Sequence, residues 1–67
     1  MTTMHAIVRQ VNCDSLLVCD CETKQEVLVY TDSACCFHPC DHVCICYSGA
    51  MTMSIPPQIS ANSIKKI

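Results

Sequence analysis

Apolar and polar positions alternate at the two-residue period of a strand in several short segments, each bounded by turn residues. His5-Ala-Ile-Val-Arg-Gln-Val11 is β-branched and alternates around Ile7, Arg9 and Val11, which predicts a first strand over residues 4–11. Asn12-Cys-Asp-Ser15 follows as a turn, because Asn, Asp and Ser side chains bond to nearby backbone. Leu16-Leu-Val-Cys19 predicts a second strand, running to residue 21, and Glu26-Val-Leu-Val-Tyr-Thr31 a third. The polar Glu22–Gln25 stretch between them has hairpin length. With Thr23 and Lys24 at its tip, Val18 faces Val29 and Cys19 faces Leu28. Leu16, Val18, Val27 and Val29 then share one face, and Leu17, Cys19, Leu28 and Tyr30 the other. Both faces are apolar, so cover on more than one side is expected.

Asp32-Ser-Ala-Cys-Cys-Phe37 predicts a single helical turn with Asp32 or Ser33 as N-cap. It ends before Pro39, since the residue preceding proline is pushed out of the helical region. Asp41-His-Val-Cys-Ile-Cys-Tyr47 alternates Val43, Ile45 and Tyr47 against His42, Cys44 and Cys46, a fourth strand over 42–47. Ser48-Gly49 breaks it, and Ala50–Ile55 is extended but ambiguous. Pro56-Pro57 removes two backbone donors and forbids a central strand there. Gln58-Ile-Ser-Ala61 reads as a fifth strand over 58–62, and the tail through Ile67 either extends it or caps a barrel.

Three meandering strands, a connection and two more strands have the arrangement of an OB-fold. The expectation is an all-β, single-domain chain, residues 1–67. Its fold class is a small five-stranded OB-like barrel with a short helical turn between strands three and four. A closed barrel also removes the edges that so small a sheet would otherwise have to protect. Its expected core holds Val8 or Ile7, Leu16, Val18, Val27, Val29, Val43 and Ile45.

Composition narrows the function. The chain has 67 residues, 51% of them hydrophobic and 15% charged, with a net charge of −2. That is too apolar for a disordered segment. Four basic residues, scattered as Arg9, Lys24, Lys65 and Lys66, make no positive groove, and there are only three aromatics, Tyr30, Phe37 and Tyr47. Nucleic acid, the usual OB-fold ligand, needs both a basic groove and stacking aromatics and is disfavoured. No apolar run approaches the roughly 20 residues of a membrane span. The first 15 residues lack the continuous apolar core of a secretory leader, so a cytoplasmic location with reduced thiols is expected.

Eight cysteines are the strongest compositional signal. None forms a Cys-x-x-Cys pair. Cys19/Cys21 and Cys44/Cys46 are Cys-x-Cys pairs on strands, where alternate Cα atoms lie about 6.6 Å apart. Thiolates sharing a tetrahedral zinc sit roughly 3.8 Å apart, so a flat strand suits them poorly. Adjacent Cys35 and Cys36 are too close for an unstrained disulfide. Two readings stand. Free cysteines pack as small hydrophobes. Alternatively, the loop Cys35-Cys36-Phe37-His38-Pro39-Cys40-Asp41-His42 supplies thiols and imidazoles that a loop can converge. Its candidate ligands are Cys35, Cys36, Cys40 and His38, with Cys13 from the first turn. Zinc is the cofactor such a site implies, and copper(I) the second. A nucleophile–base pair of Cys36 or Cys40 with His38 or His42 is formally available, yet no oxyanion donor accompanies it. Met51 and Met53 read as one inward face of a strand or as a soft-metal pair. Pro56-Pro57 reads as a rigid connection or as a presented polyproline segment.

Three stretches resemble members of an uncharacterised family of small OB-like domains in Gram-positive bacteria. Leu16-Leu-Val with Gln25-Glu-Val-Leu-Val resembles their second and third strands. Phe37-His-Pro-Cys-Asp-His-Val-Cys-Ile45 resembles the F-x-x-G-D-x-V-x-I entry to the fourth. Tyr47-Ser-Gly through Ser54-Ile-Pro-Pro-Gln to Ala61 resembles their closing Y-x-G…S-x-P-x-Q…A. The departure is Cys40, where the pattern has glycine. The resemblance implies the fold and brings no catalytic residues. The expected function is therefore a non-catalytic binding module for a protein or small-molecule ligand. Its alternative is a cysteine-rich metal-binding or thiol-handling protein.

Overall fold

A computed structural model of the chain describes residues 2–67. Five strands follow the alternating segments: β1 (Thr2–Val11), β2 (Ser15–Asp20), β3 (Glu26–Tyr30), β4 (His42–Tyr47) and β5 (Gln58–Lys66). They close into a barrel in the order β1-β2-β3-β5-β4. All neighbours are antiparallel except β3 and β5, which run parallel. Among the described residues the one helical element is a 3₁₀ turn over Ala34–Cys36 between β3 and β4. This is the OB-like barrel that the strand spacing predicts.

Alternation places one residue set inside. Val8, Leu16, Val18, Val27, Val29, Val43 and Ile45 are all buried, joined by Met4, Ala6, Ala34, Phe37, Tyr47 and Ile59. Ile7 is half-buried on the outer face, which decides the first strand's parity in favour of Val8. Each fully buried aliphatic side chain contributes roughly 1.5–3 kcal/mol of transfer free energy. Leu17, Cys19 and Leu28 stay half-buried and Tyr30 is exposed, so among the described residues no second layer covers the outside of the β2–β3 hairpin.

The hairpin register differs from the sequence expectation by two residues. Leu16 pairs with Val29, Val18 with Val27 and Cys19 with Glu26. Asp20 causes the difference. Its carboxylate accepts from the Glu22 N–H at 2.8 Å and its backbone N–H donates to the Gln25 carbonyl at 2.9 Å. Its carbonyl accepts from Lys24, whose φ is +62°. The turn thus begins at Asp20 and β2 ends there. A slip of two preserves the faces, whereas a slip of one would have inverted them.

The helical turn is shorter than Asp32–Phe37. Ser33 occupies the N-cap position but its side chain makes no capping bond, and Phe37 is already extended. Beyond it, the Cys40 N–H donates to the Val8 carbonyl at 2.7 Å and the Val8 N–H to the Asp41 carbonyl at 2.9 Å. The chain is thereby tied to β1 at the irregularity between Val8 and Gln10. β5 takes the longer of its two expected courses and runs to Lys66, whose Nζ lies 3.7 Å from the Asp41 carboxylate.

Candidate functional site

The β4–β5 connection, residues 48–57, carries the most distinctive surface. Its second residue is Gly49, whose φ of +99° is a conformation that disfavours side chains. A Cβ there would also stand 2.9 Å from Thr2 Oγ1. A relay of hydrogen bonds then fixes the loop. The Gln58 N–H donates to Thr52 Oγ1 at 2.9 Å, Thr52 and Ser54 hydroxyls meet at 2.6 Å, and Ser54 Oγ donates to the Pro56 carbonyl at 3.0 Å. The Thr52 N–H returns to the Gln58 carbonyl at 3.1 Å. Pro57 is buried and its carbonyl accepts from Leu28. This answers for the prolines: they make a fixed connection into β5.

Met51 and Met53 do not pack inward. Met53 is 100% exposed and Ile55 98%, with Met51 at 39% and Tyr30 at 40%. The reason is that 50–57 is pinned through the Thr52–Gln58 bonds and forms no strand, so the two-residue period has no sheet to face. Between this loop and the barrel lies a groove of about 400 Å³. Ala50, Met51 and Thr52 form one wall, and Tyr30, Ile59 and Ser60 the other. No residue lining it is charged. Sequence reasoning missed this site, although a signal existed: from Val43 to Ile64 the chain carries no Asp, Glu, Lys, Arg or His.

The eight cysteines are all unpaired and divide by location. Cys13, Cys35, Cys36 and Cys40 are exposed on connections, and Cys19, Cys21, Cys44 and Cys46 are half-buried. Cys35 and Cys36 lie on the 3₁₀ turn. Cys40 sits in the left-handed region at φ +74°, at the position where the resembled pattern has glycine. His38 donates its backbone N–H to the Asp41 carboxylate at 2.8 Å, and its Nδ1 lies 3.9 Å from the same oxygen. Cys13 lies in the β1–β2 turn, whose Asp14 carbonyl accepts from Thr31. Among the described residues, no three His, Cys, Asp or Glu side chains are grouped so as to hold a metal ion.

The half-buried cysteines lie around His5, with Cys19 on β2, Cys44 and Cys46 on β4, and Cys21, expected on a strand, in the turn after β2. Cys44 is the direct partner of His5 on β4, and the Cys21 N–H donates to the His5 carbonyl from the other side. Two strand spacings, about 9.6 Å, separate the Cys21 and Cys44 positions. That exceeds the roughly 3.8 Å between thiolates on one zinc, and outward-pointing side chains on a barrel diverge further. A smaller hollow of about 160 Å³ lies beside His5, Asp20 and Glu22. Its Asp20 carboxylate is already engaged in the β2–β3 turn.

Among the described residues no helix is long and apolar enough to cross a membrane. No family model, curated protein or solved structure matches the chain.

Proposed function

We propose that this chain is a small non-catalytic binding module whose ligand-engaging surface is the charge-free groove between the β4–β5 loop and the β3–β5 seam. The observation that carries the reading is Met53 and Ile55. A loop fixed by its own hydrogen bonds holds two apolar side chains fully in water. Apolar side chains held in water beside an uncharged groove suit a binding surface. The uncharged walls suit a neutral apolar ligand, a protein segment or a small molecule, because no charge loses its hydration on contact. Nucleic acid fits poorly, since the groove offers one aromatic, Tyr30, and no cation. A cytoplasmic location belongs to the same reading, supported by eight thiols that the fold leaves unpaired. So does kinship with the small OB-like family of Gram-positive bacteria, supported by the left-handed Cys40 at the glycine of that family's pattern.

The test uses a neutral apolar probe, N-phenyl-1-naphthylamine, with methyl-labelled methionine observed by NMR. Binding is expected to shift the Met51 and Met53 methyls and leave the buried Met4 in place. Fluorescence without any shift at Met51 or Met53 refutes the reading.

A second reading retains one supporting observation. Cys35, Cys36, Cys40 and Cys13 are exposed, as a protein that captures zinc or copper(I), or exchanges thiols, would need. With His38 they remain its ligand set, and it requires the loop to close around the ion. Metal content of protein purified under reducing conditions tests it.

A further inference from the structure

We propose that the overhanging edge of β1, residues 2–5, takes up an extended peptide segment as a parallel strand, with a basic residue of that segment set beside Glu22. The residues of this surface are not those of the β4–β5 groove, so the inference stands apart from the reading above.

β1 outruns one of its neighbours. Its pairing with β4 covers residues 2–7, while its pairing with β2 stops at Ala6 opposite Asp20. The Asp20 turn ends β2 there. Successive residues of a paired strand send their N–H and C=O to opposite neighbours. Val8 bonds to Cys40 and Asp41 on the β4 side, and His5 accepts from Cys21 on the β2 side. Thr3 therefore directs both of its backbone groups toward the place that β2 has left, as His5 directs its N–H. Among the described residues no partner meets the Thr3 N–H, the Thr3 carbonyl or the His5 N–H. Unpaired strand groups of this kind are a template for another chain.

These groups also select a direction. A parallel strand bonds through one residue to positions two apart, its N–H to the first carbonyl and its own carbonyl from the second N–H. The Thr3 carbonyl and the His5 N–H are such a pair, and the Thr3 N–H reaches the carbonyl two residues earlier in the segment. An antiparallel strand needs both groups of one residue, and the His5 carbonyl is already taken by Cys21.

Side chains follow from the register. The segment residue beside Met4 points inward with it, into the hollow of about 160 Å³ that Met4 and Tyr47 help to line. Both belong to the apolar core cluster, so an apolar side chain suits this position. The next residue lies outside, beside His5, where Asp20 and Glu22 line the same hollow. The Asp20 carboxylate accepts from the turn at Glu22 and Thr23, whereas the Glu22 carboxylate has no partner among the described residues. No Lys or Arg lines the hollow, so a cation is the complement. Backbone bonds to so short an edge make the binding weak and reversible.

The test titrates the ¹⁵N-labelled full chain with acetyl-Val-Thr-Val-Lys-amide and with its Glu counterpart, acetyl-Val-Thr-Val-Glu-amide, up to about 10 mM. The Lys peptide is expected to shift the Thr3 and His5 amides and to bind about threefold more tightly than the Glu peptide. Glu22→Gln should remove that preference. Thr3→Pro should abolish the shift at His5 and keep the wild-type circular dichroism, since proline at this edge removes a donor that the barrel does not use. Amides that stay in place with both peptides overturn the proposal, as do equal affinities in the wild type or a preference that survives Glu22→Gln. A wild-type mass that doubles with concentration in sedimentation equilibrium, and stays at the monomer value in Thr3→Pro, gives the edge to a second copy and overturns the peptide. A shift of Met51 by N-phenyl-1-naphthylamine leaves the groove standing in any of these cases.

Discussion

The backbone N–H of Cys40 meets the carbonyl of Val8 at 2.7 Å, and that bond holds Cys40 in the left-handed region at φ +74°. A non-glycine residue in that region costs about 1–2 kcal/mol. Glycine there would relieve the strain and lose about 0.5–1 kcal/mol of it to the greater freedom of the unfolded chain. Cys40→Gly should therefore stabilise the fold by about 0.5 kcal/mol, and Cys40→Val should destabilise it by about 1–2 kcal/mol, as β-branched residues fit this region worst. Urea unfolding of both variants checks the order. A Cys40→Gly variant less stable than the wild type would mean that the Cys40 side chain itself anchors the turn.

Ile45 and Val29 are fully buried, and Ile7 is half-buried outside the same sheet. Truncating Ile45 or Val29 to Ala should cost about 2–4 kcal/mol through lost transfer free energy and the cavity left behind. Ile7→Ala should cost about 1 kcal/mol or less, since water already reaches the site. Equal losses at Ile7 and Ile45 would contradict the assigned faces.

The faces of β2, β3 and β4 were legible in the sequence because parity is robust, whereas in β1 Ile7 and Val8 stood as alternatives that burial decides. The Leu16, Val18, Val27, Val29 set survives a two-residue change in pairing, and alternation in β4 separates Val43 and Ile45 from Cys44 and Cys46 in any register. The exact pairing was not legible, since it depends on how the Asp20 side chain folds back on Glu22. The groove was hidden for a different reason. Met51 and Met53 have strand spacing, and only the hydrogen bonds from Thr52 to Gln58, six residues along, remove that segment from the sheet. Five candidate ligands were legible as chemistry, but their convergence depends on loop paths that spacing does not encode.

Thr52→Val keeps the shape of the side chain and removes the hydroxyl that accepts from Gln58 and meets Ser54. The expected loss is about 1 kcal/mol, the usual contribution of such a bond. The Met53 methyl should narrow in its NMR line as the loop gains motion. An unchanged line at Met53 would show that Pro56 and Pro57 suffice to fix the loop.

Alkylation of the native, reduced protein should separate the thiols into two groups of four. Cys13, Cys35, Cys36 and Cys40 are exposed and should react fast, and Cys19, Cys21, Cys44 and Cys46 slowly. Peptide mass spectrometry resolves the two sets. A metal held by Cys35, Cys36 and Cys40 would reverse the order until a strong chelator is added. Zinc or copper in the purified protein together with that reversal would establish the second reading.

The parallel seam between β3 and β5 is short: Leu28 stands beside Gln58, Val29 beside Ile59 and Tyr30 beside Ser60. Every other strand pair in the barrel makes a longer antiparallel ladder. The barrel should therefore open here first, and the amide hydrogens of Leu28, which donates to the Pro57 carbonyl, and of Tyr30, on the same side of β3, should exchange ahead of those in β1 and β4. Tyr30, Ile59 and Ser60 also form one wall of the groove. Whatever fills that groove lies along the seam and holds it shut, so occupancy slows the breathing and tightens the whole barrel.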